Sequence, residues 1–165
     1  MDETLDLLRH DPGPQPVAPA AAASVKVVLH GEIVPYRGAK SARLPNGGFS
    51  HYTPAHVRKY QDALRYACGQ AMAGGAPFEG AVRVAVLAVL PVPRSMSAKR
   101  RAECLRGERH PVKRPDLDGY LKVALDCANL IVFRDDSQVV DLDVRKVYGD
   151  RPRIEIDVSP IGGRP

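Results

Sequence analysis

AVRVAVLAVL, residues 81–90, is almost continuously apolar and rich in valine. Its length and its β-branched side chains favour a strand over a helical segment. The near absence of polar alternation predicts a strand buried on both faces, central in a sheet. Pro91 and Pro93 end it. Further along the chain, Val140, Leu142 and Val144 alternate with Asp141, Asp143 and Arg145, and Ile154, Ile156 and Val158 alternate with Glu155 and Asp157. Both runs have the period of half-buried strands. The turn formers between them, Tyr148-Gly149-Asp150-Arg151-Pro152, predict an antiparallel hairpin. Upstream, Val25, Val27 and Leu29 alternate with Lys26 and His30, so an earlier strand begins near Ser24.

The intervening segments carry helical periodicity. Val57, Tyr60, Leu64, Ala67 and Ala71 form one apolar stripe, leaving Arg58, Lys59 and Arg65 to solvent. Thr53 is the expected cap of this helix, Pro54 its first residue and Gly74-Gly75 its end. A second helix is expected from Asp116, with Leu121, Ala124, Leu125 and Ala128 packed. Residues 94–114 read as basic and irregular, with one helical turn around Ser97 to Cys104. Residues 35–53 read as a polar loop with a turn at Pro45-Asn46-Gly47-Gly48. This order of elements predicts an α+β fold: a mixed sheet of about four strands with helices packed mainly on one face.

A chain of 165 residues is one ordinary domain. Residues 1–23 combine an acidic segment with the Pro/Ala-rich PGPQPVAPAAAA, and read as a disordered tail ahead of a folded unit spanning 24–165. The formal charge is +5; removing the −3 of residues 1–23 leaves +8 on the remainder, which favours an anionic partner such as nucleic acid. No window is long and apolar enough to cross a bilayer, and residues 1–11 do not resemble a signal peptide. The three scattered cysteines, Cys68, Cys104 and Cys127, form neither a zinc nor a disulfide framework, so a cytoplasmic setting is expected.

Within this basic chain, carboxylates cluster at Arg114-Pro115-Asp116-Leu117-Asp118-Gly119-Tyr120-Leu121-Lys122 and again at Arg134-Asp135-Asp136. On an extended segment Asp116 and Asp118 would share a side. Mg²⁺ suits crowded carboxylates, because it prefers hard oxygen ligands and keeps several waters. The same residues equally suit a helix entrance, with Asp116 as N-cap and both acids favoured by the helix dipole. Asp118, Lys122 and Asp126 at i, i+4, i+8 also read as a solvated ion-pair row. No P-loop, GxSxG or dinucleotide fingerprint competes.

The run 113–140, KRPDLDGYLKVALDCANLIVFRDDSQVV, resembles the core of the RusA family of Holliday-junction resolvases. The family pattern is a basic residue, D-L-D-N-L-x-K, D-A-L and D-D-x-Q-V. It is matched here by Asp116-Leu117-Asp118, Lys122, Asp126 and Asp135-Asp136-Ser137-Gln138-Val139. Gly119 stands where the family usually has asparagine, Tyr120 where leucine is common, and the connection 129–134 lacks a usual glycine. The resemblance implies a RusA-like endonuclease that resolves four-way DNA junctions by paired nicks in recombination and repair. It implies acidic ligands for Mg²⁺, with Mn²⁺ as substitute, at Asp116, Asp118 and Asp136, and a catalytic lysine at Lys122. Asp126 is expected to be structural, and Gly119 to loosen the surroundings of the metal ligands. The two-fold symmetry of a junction implies a homodimer. Phosphate contacts are expected from Arg37, Lys40, Arg43, Lys113 and Arg114, with Lys99, Arg100 and Arg101 as further candidates. The alternatives are an inactive junction-binding accessory protein and a metal-dependent nuclease for another branched DNA.

Overall fold

The protein is seen in a computed structural model that describes residues 24–36, 38 and 40–162, and of Lys40 only the backbone. The expected tail, residues 1–23, and Arg37 lie outside the described residues. The element order is β1 (Val25–His30), β2 (Lys40–Arg43), β3 (Phe49–Tyr52), α1 (Ala55–Met72), β4 (Val82–Pro91), α2 (Ala98–Leu105), α3 (Leu117–Ala128), β5 (Val139–Gly149) and β6 (Arg153–Pro160). Three helices accompany a four-stranded mixed sheet of order β1-β6-β4-β5, which is the expected α+β arrangement. Among the described residues no helix is long and apolar enough to cross a membrane.

The apolar run 81–90 does form an interior strand. β4 pairs antiparallel with β6 on one side and parallel with β5 on the other. The expected β5–β6 hairpin is therefore wrong: the two strands are not neighbours but flank β4. Residues 150–152 cross its end, a span of two strand spacings, about 9.5 Å, within reach of a short connection. The reason is burial. The most apolar strand gains most from the interior position, while the charge-alternating runs tolerate the periphery. Parallel pairing of β4 with β5 in turn needs a long crossover, and this carries α2 and α3.

Val84, Val86 and Ala88 of β4 share a face with Val25, Val27 and Leu29 of β1 and Ile154, Ile156 and Val158 of β6. Leu64 and Cys68 of α1 and Tyr120, Val123, Ala124, Cys127 and Ala128 of α3 close the core over that face. The other face of β4 is only partly covered: Arg83 is exposed and Ala85 and Leu87 are half-buried, so burial on both faces does not hold. The outer face of β1 and β6 carries an ion-pair chain instead, in which Glu155 bonds Lys26 at 2.8 Å and Arg153 at 2.6 Å. All three cysteines are free and buried, and burial pushes the Cys68 thiol up to about 12 and that of Cys127 to about 11.

Other local expectations shift. The polar loop 35–53 contains the β2–β3 hairpin, closed by Leu44 N–H bonding to Gly48 O at 2.8 Å. Its alternation was hidden because nearly all its side chains are exposed. α1 starts at Ala55, with Pro54 rather than Thr53 at the cap position and no capping side-chain bond. α2 has two turns rather than one, capped by Ser97, and Arg101 ties it to the carbonyls of Val92 and Pro93. The packed face of α3 is rotated: Tyr120, Val123 and Cys127 join Ala124 and Ala128 inside, while Leu121 and Leu125 are only half-buried.

Candidate active site

The entrance to α3 holds the first two acids. Asp116 occupies the cap position with extended backbone (φ −76°, ψ 159°), as the helix-entrance reading expects, yet its carboxylate makes no capping bond. Asp118 lies in the first turn, so the two are not alternate residues of an extended strand. They nevertheless border one depression, together with Tyr36, Arg114, Pro115 and Gly119. The segment leading to Asp116 is fixed from beneath. Lys146 of β5 donates to the carbonyls of Lys113 at 3.1 Å and Pro115 at 2.9 Å. Pairing with β4 puts Lys146 opposite Ala88, on the core side of the edge strand. Sequence reading missed Lys146 because its partners are backbone carbonyls distant in sequence.

Gly119 has a packing explanation. The Pro35–Tyr36 backbone crosses the first turn of α3 here, with Tyr36 N–H donating to Gly119 O at 2.9 Å. A Cβ at this position would lie 3.0 Å from Tyr36 O and 3.3 Å from Pro35 Cβ. The missing side chain thus admits the segment that brings Tyr36 to the site. The Tyr36 ring centroid lies 5.1 Å from Lys122 Nζ, within cation–π range. Lys122 also donates to Asp126 Oδ1 at 3.1 Å. That hydrogen bond chiefly raises the lysine above its ordinary value, and Tyr36 and Asp136 act in the same direction. The lower half of the i, i+4, i+8 row is formed; Asp118 makes no salt bridge with Lys122.

The pair Asp135-Asp136 divides between two tasks. Asp135 caps a 3-10 turn, Asp136–Gln138, accepting from Ser137 N at 2.9 Å, and this holds its carboxyl below the usual range. Gln138 Oε1 accepts in return from Asp135 N–H at 2.8 Å, and its Nε2 donates to Gly80 O at 2.6 Å. That leaves Asp136 exposed at the groove. It lines, with Asp118, Leu121, Lys122, Leu125 and Asp126, a depression that shares Asp118 with the one around Asp116. The return from α3 thus brings Asp136 to the helix entrance, a convergence that spacing could not establish.

Asp116, Asp118 and Asp136 have no hydrogen bond or salt bridge from their carboxylates among the described residues. No group of three His, Cys, Asp or Glu side chains among the described residues is placed to hold a metal ion. A cation here would have at most one or two of these exposed carboxylates as ligands, a donor set that suits a hard, hydrated ion such as Mg²⁺.

Of the expected phosphate contacts, Lys113 and Arg114 are exposed beside the groove, and Arg114 lines it. Arg43 is exposed at the end of β2. The Lys40 side chain and Arg37 lie outside the described residues. Lys99 and Arg100 are exposed on α2, whereas Arg101 is engaged with the backbone.

Comparison with known proteins places this geometry. The chain is 30% identical over 139 residues to the uncharacterized protein YqaN of Bacillus subtilis (strain 168), covering 83% of this chain and 96% of that one. Residues 32–159 match the family described as endodeoxyribonuclease RusA, a span that includes every acid of the groove and Lys122. The chain belongs to the RusA family of endodeoxyribonucleases.

Proposed function

We propose that the protein resolves four-way (Holliday) DNA junctions by paired symmetric nicks, as a structure-specific endonuclease dependent on Mg²⁺, with Mn²⁺ able to substitute. The observation that supports this is a RusA-family chain in which Asp118 lines two depressions, one together with Asp116 and the other together with Lys122 and Asp136. Asp116, Asp118 and Asp136 are the candidate ligands, of which one or two would hold the ion while water and phosphate complete its shell. When bound with DNA, it would neutralise phosphate charge and lower the pKa of a coordinated water.

Lys122 acts as a cation rather than as a base, since Asp126 favours its protonated form. Its ammonium stabilises charge developing on the phosphate oxygens. Arg114 and Lys113 hold the strand at the mouth, and Arg43 adds a phosphate contact from the end of β2; Arg37 and Lys40 are proposed as further phosphate contacts from the sequence. Two symmetric cuts call for a homodimer presenting two such grooves.

Cleavage of a labelled synthetic junction in Mg²⁺, by wild type and Asp118→Asn, tests this reading. Paired nicks by wild type, lost by about 10³-fold or more in the variant while gel-shift binding persists, are expected. Binding without cleavage by the wild type in both Mg²⁺ and Mn²⁺ would point instead to an accessory protein. Equal cutting of junction, flap and linear DNA would remove the junction specificity.

A further inference from the structure

A cavity of about 400 Å³ opens on the other side of Tyr36 from the acidic groove, between the segment after β1 and the start of α1. Tyr36 borders both, so a strand with its phosphate at Asp116 and Asp118 passes one side chain from the cavity mouth. Pro35, Tyr36 and Pro54 border it on one part of the lining, while Glu32, His56 and Gln61 supply polar groups. The Gln61 carboxamide and His56 ring have no hydrogen-bond partner among the described residues.

This lining selects for a particular chemistry. Among the described lining residues Glu32 is the acidic group, and its charge disfavours an anion beside it. A flat neutral group with N–H donors and acceptors on its edge matches it: stacking on an aromatic ring is tolerant of base identity, whereas a glutamine amide and a carboxylate read base edges. The volume admits one base with water and excludes a helix.

We propose that this cavity receives a nucleobase unstacked from the bound strand beside the cleaved phosphate, with Tyr36 as stacking platform and Gln61 as reader of the base edge. The proposal rests on the junction-cleaving function above and adds a source of sequence preference to it. Nucleotides at a junction centre are less costly to unstack, because continuous base stacking is interrupted at the strand exchange.

The full-length protein is tested in two ways. In Ca²⁺, which leaves the strands uncut, 2-aminopurine is placed in turn at each nucleotide flanking the mapped nick. Wild type should brighten one position, and Tyr36→Ala and Gln61→Leu should abolish the rise. In Mg²⁺, four junctions differing only in that base should differ by about tenfold or more in kcat/KM, and Gln61→Leu should compress the range to about threefold or less. Circular dichroism confirms that the variants fold, and Gln61→Glu, which keeps the volume, should alter the ranking rather than flatten it. Cleavage by the wild type with no bright position, or a ranking that survives Gln61→Leu, overturns the base pocket alone. Absence of junction cleavage by the wild type overturns the pocket and the resolvase reading together.

Discussion

Asp135 and Asp136 are chemically identical neighbours whose surroundings assign them different work. The Asp135 carboxylate closes the 3-10 turn, whereas that of Asp136 faces the groove unpaired. Asp135→Ala is expected to destabilise the fold measurably through the lost cap, with cleavage reduced only modestly. Asp136→Asn should leave stability within about 0.5 kcal/mol while abolishing cleavage, since its carboxylate makes no hydrogen bond or salt bridge among the described residues. Urea unfolding and junction cleavage on both variants check the contrast; loss of activity tracking loss of stability in both would contradict it. Lys146 is predicted to act one step removed, through the carbonyls that position Asp116. Lys146→Met should lower kcat about tenfold, as loss of groups supporting a metal ligand does, with junction affinity nearly unchanged. Lys146→Arg, which can still donate to both carbonyls, should recover part of the rate.

At the scale of elements, the return from α3 to β5 is the segment that assembles the site, and it does so without glycine. Leu130 takes the left-handed conformation, φ 64°, with its side chain 74% exposed. Left-handed backbone costs a branched-chain residue about 1–2 kcal/mol, and an exposed leucine recovers little of it by burial. Glycine relieves that strain but loses about 0.5–1 kcal/mol in chain entropy. Leu130→Gly should therefore stabilise the protein by about 0.5–1 kcal/mol, read as a rise in urea midpoint at constant slope. A lower midpoint would show that Leu130 is held by packing rather than tolerated. The opposite logic applies at Gly149, where an added Cβ would meet Val89 Cγ1 and the β5–β6 crossing would have to move.

For the whole molecule, the outer sheet face supplies a pH-dependent component of stability. Lys26, through its hydrogen bond, and then Arg153 hold the Glu155 carboxyl below its usual value. A depressed carboxylate contributes stability above its unfolded pKa and loses it as pH falls through the folded one. Glu155→Gln should thus lower stability near pH 7, and the difference from wild type should be smaller at about pH 4, where carboxylates take up protons. Unfolding curves at the two pH values test the sign; a difference that grows on acidification would refute it.

Elements whose signal is local are legible in the chain alone: the valine-rich interior strand, the two long helices, the two charge-alternating strands and the acidic and lysine residues of the motif. Periodicity reports how each residue meets water, and that much is written in the chain at short range. The folded whole sets which strands are neighbours, because β5 and β6 read as a hairpin until the greater apolar burial of β4 is allowed to separate them. It also decided which of two adjacent aspartates faces the groove, why position 119 needs no side chain, and that Lys146 braces the segment before Asp116. Each of these depends on a contact between segments far apart in sequence, where alternation and spacing carry no information.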